Sequence, residues 1–221
     1  MTKQKFFNVR ARQSVAGLIA GACLAVAGGS ALAQTTVGVG AAEPAAAAAF
    51  VAPAGKAPHR QSPQFVLSIP GSPDGAAFPP QREANSGACH SENVSPPLSW
   101  VGVPAGTRSF AIVMTDPDGR SGLGTVHWIH YGLPANLTQL AEGAGTSADL
   151  PGRGGRNSGD TLDYHGPCPP LGEIAHHFVI QIFALDLPPE ALPLAMKREA
   201  LFAAMDGHVL AATSVVQRYA R

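Results

Sequence analysis

Two histidine-containing stretches of the chain carry the side chains with most capacity for chemistry. In the first, residues 163–178 read DYHGPCPPLGEIAHHF, so a proline-rich loop leads directly into His176 and His177 at the start of an apolar run. Proline fixes φ and has no N–H group, which makes the loop stiff and poor in hydrogen-bond donors. The two histidines must then supply much of the polarity, whereas His165 inside the loop is expected to be solvated. This combination is typical of a small-ligand pocket.

The second stretch, residues 115–131, reads TDPDGRSGLGTVHWIHY and repeats the design. Asp116 and Asp118 lie in a tight turn after a β-rich run, and His127 falls inside the strand that follows. A carboxylate that accepts a hydrogen bond from an imidazole N–H favours the charged imidazolium, and such a site can then accept an anion. We expect these aspartates and the histidines of both stretches to converge from separate strands.

Alternation of side chains along a strand indicates which of these residues share a face. His176 is predicted to share a face with Phe178, and His177 to lie on the opposite face as a structural or exposed residue. In the earlier strand, His127 is predicted to point to the pocket while Trp128, on the other face, enters the core.

The chain that must position these residues reads as mainly β from residue 65 onward. Short β-rich runs are separated by Gly, Pro and Asp turns, which is typical of a sandwich or barrel. These runs are 65–69, 109–115, 126–133, 177–185 and 209–219. A helix is predicted only near the end, over 190–206, where apolar residues recur at helical spacings until Gly207 stops them.

The first 33 residues have the pattern of a secretory signal peptide. Four basic residues precede an apolar run at 15–27 and a small-residue cleavage site at 31–33. We therefore expect a mature chain that begins at Gln34, is periplasmic or secreted, and has no transmembrane segment. Lipid attachment at Cys23 is the weaker alternative, because no leucine stands three residues before it.

The remaining chain is predicted to be a linker followed by one domain. Residues 34–62 are rich in Ala, Gly and Pro and read as a flexible linker, while residues 63–221 have the length of a single domain with its own core. Loss of the signal peptide removes four of the 15 basic side chains and none of the 15 acidic ones, which leaves the chain mildly acidic. Nucleic acid is therefore not expected as a partner.

Cys89 and Cys168 are the two cysteines that remain once Cys23 is removed with the signal peptide. A pair of cysteines in a chain sent to an oxidising compartment predicts a disulfide. This bridge would tie the segment before residue 91 to the proline-rich loop. Two buried or free thiols are the alternative.

Three sequence blocks together resemble the phosphatidylethanolamine-binding protein family, in its bacterial Raf kinase inhibitor-like branch. They are, in the family's order, SENVSPPLSW at 91–100, the Asp-Pro-Asp turn with the later His-Trp pair in 116–128, and the Gly-Pro-Cys-Pro-Pro loop at 166–170 followed by a histidine. The resemblance spans most of residues 65–219. It implies an antiparallel β-sandwich with Greek-key connections, a few short helices including a C-terminal one, and a ligand pocket at one end.

The resemblance also implies which residues bind the ligand: Asp116, Asp118, His127, Tyr164, Gly166 and His176. The chain departs from the family pattern beside this set. His177 replaces an arginine, and Phe178 replaces a tyrosine whose hydroxyl would have bonded the ligand. Gly119-Arg120 stands where the family usually has Ala-Pro, so Arg120 can either clamp a phosphate-like group or pair with Asp118. Arg120 and Phe178 are further candidates for ligand contact.

Three classes of function remain open. The first, which the resemblance implies, is a binding protein without cofactor or catalysis whose pocket holds a small anion such as a phosphate ester or a phospholipid headgroup. The second is an inhibitor or modulator of a periplasmic or secreted enzyme such as a protease, because family members include such inhibitors. The third is a metal-dependent hydrolase built on the same Asp and His side chains. The chain has no HExxH or GxSxG motif, so we expect no enzymatic activity.

Overall fold

The computed structural model describes residues 64–221, and the predicted signal peptide and linker at 1–62 lie outside them. The eight strands are β1 (Val66–Ser68), β2 (Leu98–Val101), β3 (Ser109–Asp116), β4 (Thr125–Pro134), β5 (Gln139–Leu140), β6 (Arg153–Gly154), β7 (His176–Leu185) and β8 (Val209–Tyr219). The helices are the single turn α1 (Gly119–Gly122) and α2 (Arg198–Met205), with 3₁₀ turns at Pro80–Arg82 and Ala144–Thr146.

Two antiparallel sheets form the domain. One has three strands in the order β1-β2-β5, and the other has five in the order β6-β4-β3-β7-β8. Strand β3 lies at the centre of the larger sheet and is buried on both faces, which explains its nearly continuous apolar sequence. Strand β7 beside it is buried at every second residue, although both of its faces carry apolar side chains.

The core lies on both faces of the larger sheet. On one face, Leu98 and Trp100 of β2 share a buried cluster with Phe110, Phe178 and Ile182, so the two sheets pack as a sandwich. Trp100 meets the Phe110 ring edge-on, with 5.3 Å between the ring centres. On the other face a second cluster is covered by α2, through residues such as Leu201 and Met205. The mainly β, antiparallel architecture predicted from the sequence is confirmed.

The predicted strands match the observed ones closely, but the predicted helix is wrong over its first half. Helix α2 begins at Arg198 instead of residue 190. Pro193 cannot continue a helix, and Ala195 adopts a left-handed φ of 55°. Leu192 and Met196 still pack on the second cluster, so their helix-like spacing reflects burial without a helix. The short strands β2, β5 and β6 were not predicted.

The predicted disulfide between Cys89 and Cys168 is present, with 5.9 Å between the Cα atoms. It ties the segment after the first 3₁₀ turn to the proline-rich loop, 79 residues further along the chain. Next to the bridge, a side chain at Gly166 would place its Cβ atom in collision with the carbonyl oxygen of Arg82. Only glycine lets the backbone of the proline-rich loop come this close to the backbone of Arg82, so the loop packs directly against that segment.

Candidate functional site

A pocket of about 460 Å³ opens at one end of the larger sheet. Strand β3 ends there, while β4 and β7 begin there, so three neighbouring strands deliver their terminal side chains to one place. Turn α1 forms one wall and the proline-rich loop forms the other. The titratable and basic side chains that line the pocket are Asp116, Asp118, Arg120, His127, His165, Glu173 and His176. The structure thus brings together four of the six residues implied by the family resemblance, and Arg120 with them.

Asp116 is the most firmly held residue of the pocket. It is the last residue of β3 and only 4% of its surface is exposed. One carboxylate oxygen, Oδ1, accepts hydrogen bonds from the N–H groups of Asp118 at 2.9 Å and Gly119 at 3.1 Å. The other, Oδ2, lies 2.8 Å from Nδ1 of His176. Three partners in fixed positions leave this carboxylate with one orientation.

His176 lies between two carboxylates. Its Nδ1 faces Asp116, and its Nε2 lies 3.0 Å from Oε2 of Glu173. Satisfying both contacts requires an N–H group on each ring nitrogen, which is the charged imidazolium form. Burial opposes that charge, yet the hydrogen bonds to Asp116 and Glu173 outweigh burial and raise the pKa of His176. His176 is therefore a pocket residue whose two carboxylate partners hold its ring in place.

His127 reaches the pocket because β4 contains a bulge. In the pairing with β3, Met114 lies opposite Trp128 and Thr115 opposite Val126, which leaves His127 as an extra residue. The His127 ring meets Phe178 edge-on at 5.2 Å, and Trp128 enters the same cluster as Phe178. Strict alternation, which placed His127 and Trp128 on opposite faces, is therefore wrong at this point, although His127 does line the pocket as predicted.

The tautomer of His127 follows from its partner. Its Nδ1 lies 2.8 Å from the carbonyl oxygen of His165, which can only accept, so Nδ1 donates. Burial lowers the pKa of His127, more strongly than this hydrogen bond raises it. In the resulting neutral ring, Nε2 is a hydrogen-bond acceptor. His176 and His127 thus have opposite hydrogen-bonding roles.

Asp118 pairs with His177 and not with Arg120. Its Oδ2 accepts the N–H of His177 at 2.8 Å and Nδ1–H of the same residue at 2.9 Å. These hydrogen bonds lower the pKa of Asp118. The sequence-based alternative in which Arg120 pairs with Asp118 is therefore wrong. Within residues 64–221, Arg120 forms no ion pair, and it extends from a left-handed turn at the rim of the pocket, with φ of 54°.

Tyr164, Gly166 and Phe178 lie behind the pocket and do not line it. The Tyr164 hydroxyl donates to the carbonyl oxygen of Arg82 at 3.2 Å, and its ring meets Trp128 edge-on. The N–H of Gly166 donates to Oδ1 of Asn93 at 2.7 Å. Phe178 is fully buried beneath the two histidines. The three residues support the pocket, and the structure gives none of them a side chain that reaches its surface.

Two titratable lining residues were missed by the sequence reasoning. His165 is half-buried instead of solvated, and its Nε2 lies 3.2 Å from the Ser86 hydroxyl. Burial lowers the pKa of His165. Glu173 was not considered, although its place three residues before His176 is a signal, because side chains at that separation can meet in a turn. The positions of both side chains depend on the conformation of the loop, which residue types alone do not determine.

Among residues 64–221, no group of three or more His, Cys, Asp and Glu side chains is arranged to hold a metal ion. In the same part of the chain, no helix combines the length and apolar character needed to cross a membrane.

Comparison with known proteins gives consistent matches. The family model described as phosphatidylethanolamine-binding protein matches residues 69–220. A UPF0098 protein of Methanothermobacter thermautotrophicus is 40% identical over 135 residues, which cover 60% of this chain and 87% of that protein. A Mycobacterium tuberculosis protein named "Putative lipoprotein LppC" is 38% identical over 135 residues, which cover 58% of this chain and 60% of that protein.

A solved structure has the same fold. The crystal structure of Escherichia coli YbcL, described as a new member of the mammalian PEBP family, superimposes with a TM-score of 0.66 at 29% sequence identity. The match covers 72% of this chain and 99% of YbcL.

Proposed function

The chain belongs to the phosphatidylethanolamine-binding protein family, and on this premise we propose that residues 63–221 bind a small ligand through a phosphate or phosphate-like group, without chemical turnover and without a cofactor. The observation that carries the proposal is His176, a buried imidazolium fixed by Asp116 with its Nε2 directed into the pocket. A fixed N–H donor of positive charge is what an anionic oxygen requires.

The pocket has the size and polarity for such a ligand. Its volume of about 460 Å³ falls within the range of small-molecule sites. Arg120 at the rim can contact the same anion as His176, and Nε2 of His127 can accept a hydrogen bond from a hydroxyl of the ligand. A phosphate ester or a phospholipid headgroup that also bears a hydroxyl carries both kinds of group.

A modulator of an exported enzyme is the second candidate, because the pocket loop presents apolar side chains to solvent. Leu171 is 75% exposed and Ile174 is 83% exposed, on either side of Glu173. Exposed aliphatic residues beside a pocket favour a protein contact there. A protein partner would then lose affinity when both residues are replaced by serine, while phosphate binding would be unchanged.

Export of the chain is part of the proposal. Its support is the signal-peptide pattern of residues 1–33 and the name of the mycobacterial relative, which indicates an exported protein. The disulfide agrees with an oxidising compartment.

Calorimetric titration with inorganic phosphate tests the binding function. We expect saturable binding to the wild type and a loss of at least about tenfold in affinity in His176→Gln, because a hydrogen bond to a charged group is removed. His208→Gln is the matched control, since His208 also pairs with an aspartate, Asp186, but at the opposite end of β7. Equal affinity in the wild type and His176→Gln would place the site elsewhere.

A further inference from the structure

The carboxylate of Glu173 lies where an anionic ligand would have to bind. Its Oε2 is 3.0 Å from Nε2 of His176, and Nε2 is the ring nitrogen that Asp116 leaves available. A single N–H group makes one good hydrogen bond at a time. An external anion and Glu173 therefore compete for the same donor.

From this contact we infer that Glu173 is an internal ligand of the site, which an incoming anion must displace, and that it thereby determines which ligands bind. The inference rests on the proposed anion-binding function. Any ligand that needs Nε2 of His176 has its affinity lowered by the same factor, whereas a ligand held only by Asp118 and His127 is not affected. Anions that bind weakly, such as a lone carboxylate group, then fail to occupy the pocket, and groups with more charge and more acceptor oxygens, such as a phosphate monoester, remain bound.

The segment that carries Glu173 can move with little loss of packing. The Glu173 side chain is 53% exposed, and its neighbours Leu171 and Ile174 are largely exposed as well. Between them, Gly172 adopts a left-handed φ of 81°, in a turn that ends at a weak 3.4 Å hydrogen bond from the N–H of Glu173 to Pro170. His176, by contrast, is held by the strand pairing of β7 with β8. Displacement can therefore move the carboxylate and leave the imidazole in place.

Two substitutions separate displacement from simple charge repulsion. Glu173→Gln removes the charge and weakens the contact. Glu173→Asp keeps the charge on a side chain one methylene shorter, which holds the carboxylate back from Nε2. As a control, Glu190→Gln makes the same change in net charge at an exposed position beyond the opposite end of β7.

The experiment is calorimetric titration of these variants with inorganic phosphate and, separately, with acetate. We expect Glu173→Gln to bind both anions about tenfold tighter than the wild type, by a similar factor for each, as loss of one hydrogen bond to a charged group implies. Glu173→Asp is also expected to bind both anions more tightly than the wild type. Glu190→Gln is expected to bind them with the affinity of the wild type. In the wild type, the ¹³Cδ signal of Glu173 should shift as phosphate is added.

Other outcomes overturn the inference in distinguishable ways. If the wild type binds phosphate and Glu173→Gln binds it no better, Glu173 does not compete. A second outcome is that Glu173→Asp binds both anions with the affinity of the wild type, while Glu173→Gln gains more affinity for phosphate than for acetate. In that case Glu173 acts through its charge alone. If no variant binds either anion, the proposed function itself fails. Binding by Glu173→Gln alone would support both the site and the displacement.

Discussion

At the scale of single residues, the site depends on two histidines whose environments shift the pKa of the ring in opposite directions. His176 lies between carboxylates, and its pKa is raised; His127 is buried against a backbone carbonyl group, and its pKa is lowered. The two contacts of His176 require an N–H group on each ring nitrogen, so its ring is a donor, whereas the ring of His127 is an acceptor at Nε2. The pocket therefore presents a fixed pattern of one donor and one acceptor, set by hydrogen bonds made on the far side of each ring.

Phosphate binding should weaken as the pH rises. The bound anion needs the protonated form of His176, which is lost as the pH rises through its raised pKa. Toward acid the affinity should increase and then level off near pH ~6, where a phosphate ester itself takes up a proton. Calorimetry on the wild type with a phosphate monoester, from pH 5.5 to 8.5, measures this profile. A profile that is the same in His176→Gln and the wild type would contradict the assignment.

Stability of the fold should fall in mild acid. Burial lowers the pKa values of His127 and His130 in the folded state, while in the unfolded chain they return to about 6.5. Below that pH the unfolded state binds more protons, so the free energy of unfolding decreases as the pH falls toward the folded-state pKa values. The raised pKa of His176 has the opposite effect on stability. Its stabilising contribution is fully present below about pH 6.5 and is lost as the pH rises through the raised pKa.

Urea unfolding at pH 7.5 and 5.5 checks this expectation, and one variant isolates a single histidine. His130 donates from Nε2 to the carbonyl oxygen of Pro151 at 2.9 Å and is 7% exposed. His130→Gln keeps a donor but does not titrate, so its stability should change less between the two pH values than that of the wild type. His208→Gln, at an exposed position, should behave as the wild type does. An equal pH dependence in all three proteins would refute the role of burial.

At the scale of elements, the pocket is assembled from strand ends and from a loop that the disulfide holds. Asp116 and His176 lie on neighbouring strands of the larger sheet, whose backbone pairing fixes their separation. The proline-rich loop has no such pairing. Its position depends on the bridge to Cys89, on the close approach at Gly166 and on the hydrogen bond from its N–H to Asn93.

Removal of the disulfide should therefore affect stability and binding together. For the double substitution Cys89→Ser and Cys168→Ser, we expect the free energy of unfolding to fall by about 2 to 4 kcal/mol, since the bridge closes a long loop in the unfolded chain. Phosphate affinity should also fall, because Cys168 lines the pocket. Urea unfolding and calorimetry measure the two effects. A variant as stable as the wild type would show that the loop is held by its other contacts.

The parts of this assembly that depend on local sequence pattern could be predicted from the sequence. The alternation in β7 correctly placed His176 with Phe178, and the turn after β3 correctly brought Asp116 and Asp118 to the strand end. The bulge at His127 could not be predicted, because it arises from the register between two strands distant in sequence. The contact of Glu173 with His176 depends on a loop conformation, and β5 and β6, with two residues each, are too short to show alternation.

At the scale of the whole molecule, the site lies at one end of a sandwich whose core extends over both faces of the larger sheet. The fully buried Trp100, Trp128 and Phe110 show that the core is close-packed up to the strands that carry the pocket. Such a support holds Asp116 and His176 in position before a ligand arrives, which limits the ordering that binding requires.

Export is the prediction that concerns the whole chain. We expect the full-length chain, expressed in a bacterium with a general secretion system, to yield a soluble protein that begins at Gln34, because the small-residue site at 31–33 follows an apolar run too short to span a membrane. Intact-mass measurement on the exported protein identifies the first residue. The mass should also be lower by two hydrogen atoms for the Cys89–Cys168 bridge. A mature chain that begins at Cys23 with attached lipid would contradict the cleavage site and favour the alternative of lipid attachment.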